Sequence, residues 1–295
     1  MIKKILVLGG GISKERAISI QTAKAVSIAL KKKKYKVIIC EPDGNLSNKI
    51  KKFKPNVIFN ALHGGIGENG SIQAWMDNSN IKYTGSGSRV SSLCMDKSRS
   101  KSFARLMGIE TADWQKIKNI NESIELKLPL VIKPNEQGST FGLTIVREKA
   151  HLKQAIKKAF QYGEAIIAEK YLRGREITVP VLGGKVYPII EILPSHGLYD
   201  YECKYTQGFS KYICPAKLDN GIARKIREDT ELIFNEFGCD VYARIDYIID
   251  YYGNPKFLEV NTLPGMTDTS LFPKSVSKED ISFERLIKNI LELSL

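Results

Sequence analysis

Residues 241–261 constrain the fold of this chain most strongly. They read as two strands, 241–250 and 251–261, that alternate in polarity and meet at a turn containing Gly253. A hairpin centred between Tyr252 and Gly253 pairs Asp246 with Glu259 and Arg244 with Asn261, all on one face. The other face then pairs Ile245 with Val260 and Tyr247 with Leu258, so hydrophobic alternation supports the same register. Two directly opposed carboxylates repel, and the arrangement calls for a cation. Spacing leaves two readings open. Asp246, Glu259 and Asn261 form an oxygen donor set of the kind Mg²⁺ takes, or Arg244 neutralises the pair on a solvated sheet face.

The remainder is organised as α/β. Apolar strands at 5–8, 35–40 and 57–62 alternate with helical stretches, the pattern of a parallel sheet with crossovers. After the first strand come Gly9, Gly10, Gly11, Ile12 and Ser13, with Ser13 expected to cap a helix over 14–30. These glycines do not form G-x-G-x-x-G, so a dinucleotide fingerprint is absent. A second region opens near Asp96 with a helix to about 107, strands at 128–133, 143–146 and 165–170, and a helix over 149–162. A third holds strands at 176–182 and 185–192 and a helix over 222–237 that ends at Gly238. A length of 295 residues accommodates two domains or three small ones, and the expected divisions are 1–95, 96–175 and 176–295.

Composition narrows the function classes. Apolar residues at 43% and charged ones at 26% exclude a disordered or coiled-coil chain. No apolar run approaches a membrane span, and the first residues form a strand followed by glycines rather than a secretion signal, so a cytoplasmic location without a membrane partner is expected. The five cysteines are scattered and lack a C-x-x-C pair, which points to buried thiols. The net charge of +13 resides in runs such as Lys31 to Lys34 that carry no interleaved aromatics, so a nucleic-acid partner is not expected.

Two glycine-rich segments sit at strand ends. In Lys133-Pro134-Asn135-Glu136-Gln137-Gly138-Ser139-Thr140-Phe141-Gly142 the glycines let backbone N–H groups and hydroxyls close over an anion, although an ordinary turn would look the same. The lysine precedes the glycines, so this is not the P-loop. His63 to Gly70 lies at a strand end where ligands of open sheets gather, and His63 alone reads equally as a structural hydrogen bonder.

Nearly the whole chain resembles the D-alanine–D-alanine ligases of the ATP-grasp superfamily. The resemblance is carried in order by Gly9 to Arg16, His63 to Gly70, Tyr83 to Gly87, Met95-Asp96-Lys97 with Lys101, and Lys133-Pro134 with Gly138-Ser139. It continues through Glu169 to Leu172 with Glu176, Tyr199 to Tyr205, Arg244-Ile245-Asp246, and Glu259 to Thr267 with Ser270, Leu271 and Pro273. It implies an ATP-grasp fold with an N-terminal Rossmann-like parallel-sheet domain, in which 1–95 serve the substrate, 96–175 form the central subdomain and 176–295 carry metal and catalytic groups.

The reaction implied is ATP-dependent joining of two D-alanines through an acyl phosphate, for peptidoglycan. By the resemblance Asp246, Glu259 and Asn261 hold two Mg²⁺, with Mn²⁺ able to substitute, while Lys97 and Lys133 meet the phosphates. Adenine lies at Glu169, Lys170 and Leu172, and the ribose at Glu176; read alone, both glutamates would pass as surface charge. Glu15 and His63 meet the first D-alanine, Lys204, Ser270 and Leu271 the second, and Arg244 with the Gly265 N–H the oxyanion. Ser139 links Glu15 to Tyr205 on a lid. A homodimer is implied as well. The alternatives are a ligase forming an ester with D-lactate and a nucleotide-binding regulator without chemistry. The family usually has Asp where Asn69 stands and Ser where Thr140 stands.

Overall fold

A computed structural model describes residues 3–195, 208–267 and 270–295. The first layer is a parallel sheet in the order β2-β1-β3, from β1 (Lys4–Leu8), β2 (Lys36–Cys40) and β3 (Val57–Asn60), with α1 (Arg16–Lys32) and α2 (Leu46–Phe53) as crossovers. Ile5 to Leu8 are fully buried, as a strand covered on both faces requires. At Gly9 an added Cβ would stand 2.4 Å from the Ala23 Cβ, so α1 lies directly on the glycine loop. Ser13 does not cap α1. Its hydroxyl donates to the His63 carbonyl at 2.5 Å and accepts from the Glu15 N–H at 3.1 Å, tying together the loops after β1 and β3, and Glu15 takes the cap position.

After α3 (Ser71–Asn78) and α4 (Ser88–Met95), α5 (Lys97–Leu106) starts at Asp96, whose carboxylate accepts from the Arg99 N–H at 3.0 Å. A second, antiparallel sheet follows in the order β4-β7-β5-β6. Its strands are β4 (Trp114–Ile117), β5 (Leu130–Pro134), β6 (Thr144–Val146) and β7 (Ile166–Lys170), and α6 (Lys149–Phe160) covers it with Ala155, Ile156 and Ala159. A third sheet runs β11-β10-β8-β12-β13, with β9 on β8. It comprises β8 (Gly174–Leu182), β9 (Lys185–Val186), β10 (Ile190–Pro194), β11 (Ser210–Ile213), β12 (Tyr242–Asp250) and β13 (Pro255–Asn261). The strand expected over 185–192 is thus two pieces. Pro188 lies in the break between them, where a residue without an N–H cannot continue a ladder. α7 (Asn220–Glu236), α8 (Leu271–Val276) and α9 (Phe283–Leu293) complete the described chain.

The hairpin β12-β13 pairs Arg244 with Asn261, Ile245 with Val260 and Asp246 with Glu259, but Tyr247 stands opposite Phe257 rather than Leu258. The register shifts between Asp246 and Tyr247, leaving Leu258 as the extra residue of a bulge. Burial explains it. Phe257 and Tyr247 are both fully buried, with ring centroids 6.3 Å apart edge to face. A regular ladder would turn Phe257 to the same face as Glu259. The bulge sends Phe257 and Val260 inward and leaves Leu258 and Glu259 together on the open face. Phe257→Ala is therefore expected to cost about 3–5 kcal/mol and Leu258→Ala less than about 1.5 kcal/mol, read from denaturant unfolding midpoints.

Candidate active site

Two cavities open on this face. One of about 100 Å³ lies between the loops after β1 and β3 and the end of the hairpin, and is bounded by Glu15, His63, Arg244, Asn261, Gly265, Ser270 and Leu271. The other, of about 150 Å³, lies between the second and third sheets. Val131, Ile145 and Phe141 from one side face Ile248 and Leu258 from the other, with Lys133, Glu169, Lys170, Leu172 and Glu176 on its walls. The two share Lys97, Gly138, Ser139 and Glu259. A flat apolar slot thus leads to a polar junction, which leads to a charged chamber.

On the hairpin face, Arg244 donates from Nε to Asp246 Oδ1 at 3.0 Å and from Nη2 to Oδ2 at 2.9 Å, and Thr178 on β8 donates its hydroxyl to Oδ1 at 2.5 Å. Lys97 Nζ lies 3.3 Å from Glu259 Oε2 and donates to the Gln137 carbonyl at 2.8 Å. Asn261 Oδ1 accepts from the Leu263 N–H at 2.9 Å. Among the described residues, Asp246 thus has Arg244 beside it and Glu259 has Lys97. Glu259 and Asn261 lie at the cavity wall and Asp246 stands directly opposite Glu259; two carboxylates with a neighbouring amide oxygen are hard donors suited to Mg²⁺, so the residues fit the ion. Both readings left open by the sequence describe the same face: Arg244 holds one member of the pair, and the donor set remains.

Glu169 is no surface charge. It is 2% exposed, with Lys101 Nζ at 2.5 Å from Oε1 and Lys133 Nζ at 2.5 Å from Oε2. Burial works against its charge, yet the two lysines outweigh it and hold the carboxyl below its usual range. Burial pushes Lys101 down to about 8, against the attraction of Glu169. Lys101 also donates to the Thr111 hydroxyl at 2.7 Å and lies 3.3 Å from the Phe257 carbonyl, so this cluster binds α5 to both sheets. On α5 the buried positions are Lys97, Ser100, Lys101 and Ala104, a helical stripe carrying lysines where apolar residues would ordinarily stand. That stripe is the sequence signal that marks Lys101 as a buried charge.

In the smaller chamber Glu15 is 4% exposed and accepts a hydrogen bond from Ser139. His63 Nε2 lies 2.9 Å from the Thr22 hydroxyl, and Nδ1 lies 3.6 Å from Glu68. Thr22 reaches His63 only because the fold brings α1 beneath the loop after β3, whereas Glu68 belongs to that loop itself. At Gly265 a Cβ would fall 2.8 Å from the Ser270 hydroxyl oxygen, so its backbone lies open to the cavity only as glycine. Ser270 precedes α8, and its hydroxyl accepts from the Thr267 N–H at 3.0 Å. Ser139 and Thr140 have φ of 49° and 64°, each costing roughly 1–2 kcal/mol for a residue with a Cβ. Asn69 accepts from the Ser71 N–H at 3.0 Å, the bond an aspartate would make, and it borders neither cavity. Lys204 and Tyr205 lie outside the described residues.

The family described as D-ala D-ala ligase C-terminus matches residues 101–292. The chain is 40% identical over 306 residues to the D-alanine–D-alanine ligase of Carboxydothermus hydrogenoformans, covering 99% of this chain and 98% of that one. It is 38% identical over 292 residues to the ligase of Citrifermentans bemidjiense, covering 98% and 95%. The chain belongs to the D-alanine–D-alanine ligase family. A crystal structure of the Bacillus anthracis ligase complexed with ATP superposes with a TM-score of 0.87 at 31% identity, covering 99% of this chain and 97% of that one. The fold is thus the α/β ATP-grasp arrangement with a parallel three-stranded sheet at its start. Among the described residues no helix is long and apolar enough to cross a membrane.

Replacing Lys101 strips a buried carboxylate of one of its two cations. Lys101→Met is expected to cost about 3 kcal/mol, lowering the melting temperature by roughly 5–10 °C in calorimetry.

Proposed function

We propose that this ligase joins two D-alanines into D-alanyl-D-alanine with ATP, as a cytoplasmic step of peptidoglycan synthesis and as a homodimer divided at 1–95, 96–175 and 176–295. One observation carries the reading: the apolar slot and the charged chamber meet at Lys97, Gly138, Ser139 and Glu259, where a phosphoryl group leaving a nucleotide in the slot reaches a carboxylate in the chamber.

A carboxylate is a poor acyl donor, so its oxygen must first accept the γ-phosphoryl group. The amine of the second D-alanine then attacks the acyl carbon and phosphate leaves. Phosphoryl transfer needs charge neutralisation and alignment more than covalent help. Lys97 supplies fixed positive charge at the junction, and Lys133 supplies it on the wall of the slot. Asp246, Glu259 and Asn261 would hold two Mg²⁺ or Mn²⁺, whose positive charge would neutralise the phosphate oxygens. Glu169, Lys170 and Leu172 contact the adenine edge, and Glu176 the ribose.

Glu15, buried with its carboxylate packed close against Gly64 and Gly138, takes the ammonium of the first D-alanine. His63, oriented by Thr22, directs that substrate's carboxylate. Arg244 and the Gly265 N–H face the tetrahedral oxyanion, while Ser270, Leu271 and Lys204 receive the second D-alanine. Ser139 and Tyr205 complete the lid that excludes water, without which the acyl phosphate would hydrolyse. The presence of Arg244 and all three metal-side residues in one face weighs against a regulator without chemistry.

ADP release with D-alanine, L-alanine or D-lactate as the varied substrate tests the reading. D-alanine should support turnover with dipeptide as product, and ADP release that requires D-lactate would replace it with ester formation. Glu259→Gln should lower turnover by at least about 10²-fold with melting temperature within a few degrees of wild type; undiminished turnover would remove the metal assignment.

A further inference from the structure

Lys14 borders neither cavity and takes no part in the chemistry above. Yet its ammonium lies 4.0 Å from the ring centroid of Tyr162 and 5.9 Å from that of Phe141. The two rings stack on one another, with centroids 6.2 Å apart and planes at 17°. Phe141 follows the left-handed pair Ser139-Thr140 and lines the apolar slot, and Tyr162 follows α6 in the same layer. Between the loop and Tyr162 there is room only for glycine. At Gly142, with φ of 73°, a Cβ would stand 2.8 Å from Tyr162 Cδ2 and 3.0 Å from Pro134 Cγ.

Consecutive residues of the first layer thus hold both ends of one short loop segment. Glu15 takes Ser139 on the inside, and Lys14 takes the aromatic pair on the outside. A loop with two successive non-glycine residues in the left-handed region does not sustain that shape by itself; contacts from outside must impose it. A cation over an aromatic face is one such contact, and it works from a partly exposed position.

We propose that Lys14 is a positioning residue whose cation–aromatic clasp on Tyr162 and Phe141 keeps the 138–142 loop shut over the phosphoryl-transfer position. The proposal rests on the placement of phosphates beneath that loop. Its consequence is commitment rather than binding. With the clasp gone, water reaches the acyl phosphate, its oxygen bonds to the acyl carbon, the carbon–oxygen bond to phosphate breaks, and D-alanine and inorganic phosphate are released. ATP is then hydrolysed without a peptide bond forming.

The test compares full-length wild type, Lys14→Ala, Lys14→Arg and Tyr162→Leu for ADP released per D-alanyl-D-alanine formed at saturating substrates. Hydrogen exchange of peptides spanning 137–143 is followed in parallel. Wild type and Lys14→Arg should release one ADP per dipeptide, because guanidinium also sits on aromatic faces. Lys14→Ala and Tyr162→Leu should raise the ratio about two- to fivefold, with faster exchange across the loop. A wild-type ratio in Lys14→Ala, or a lowered melting temperature with ratio and exchange unchanged, overturns the clasp. Absence of D-alanine-dependent ADP release from wild type overturns instead the ligase reading on which the clasp depends.

Discussion

Two like charges set opposite each other on neighbouring strands are the constraint around which the rest of this molecule is arranged. Asp246 and Glu259 are direct cross-strand partners, and their repulsion is met from different directions. Arg244 comes from two residues earlier on the same strand, Thr178 from the adjacent strand β8, and Lys97 from the first turn of α5. The position of Lys97 depends in turn on Asp96, which caps α5 and pairs with Lys116 at 3.0 Å. The site thus draws on both antiparallel sheets and on the helix between them, and its charges are compensated before any ligand arrives. Such preorganisation is what makes electrostatic stabilisation effective, because little reorientation remains when the reacting charge develops.

Rigid and conditional parts divide cleanly. Lys101 and Glu169 are buried and Lys133, partly buried, joins them in a triad in which each charge has a partner, and its removal from water makes breaking it costly. The loop carrying Ser139 and Thr140 is the opposite case: its backbone is strained, and contacts with Glu15 and Lys14 hold it. On the proposed reading, a fixed wall for the nucleotide and a loop held shut by the neighbouring layer suit a reaction whose intermediate must be protected from water.

Much of this was legible in the sequence because the signals are local. Period-two alternation around a glycine turn gave the Asp246–Glu259 pair, and the strand–glycine–helix order gave the parallel sheet at the start. The bulge at Leu258 was not legible, since alternation cannot register one extra residue until the burial of Phe257 against Tyr247 demands it. Without the resemblance, Glu169 reads as surface charge for a similar reason. Its neighbours Lys101 and Lys133 are distant in sequence, and only the packing of α5 against the second sheet brings them to it. Ser13 looked like a helix cap because caps are read from composition alone, and a tertiary bond to the His63 carbonyl displaced it.

On the proposed reading, the bulged hairpin aims Asp246 and Glu259 at a bound cation beside the nucleotide phosphates. Crystals grown with Mn²⁺ and a non-hydrolysable ATP analogue, measured at the manganese absorption edge, test it most directly. An anomalous peak ligated by both carboxylates, with Asn261 within reach and the triphosphate on the far side, is the expected result. Density that leaves Asp246 on Arg244 and Glu259 on Lys97, with manganese held by the nucleotide alone, would contradict it.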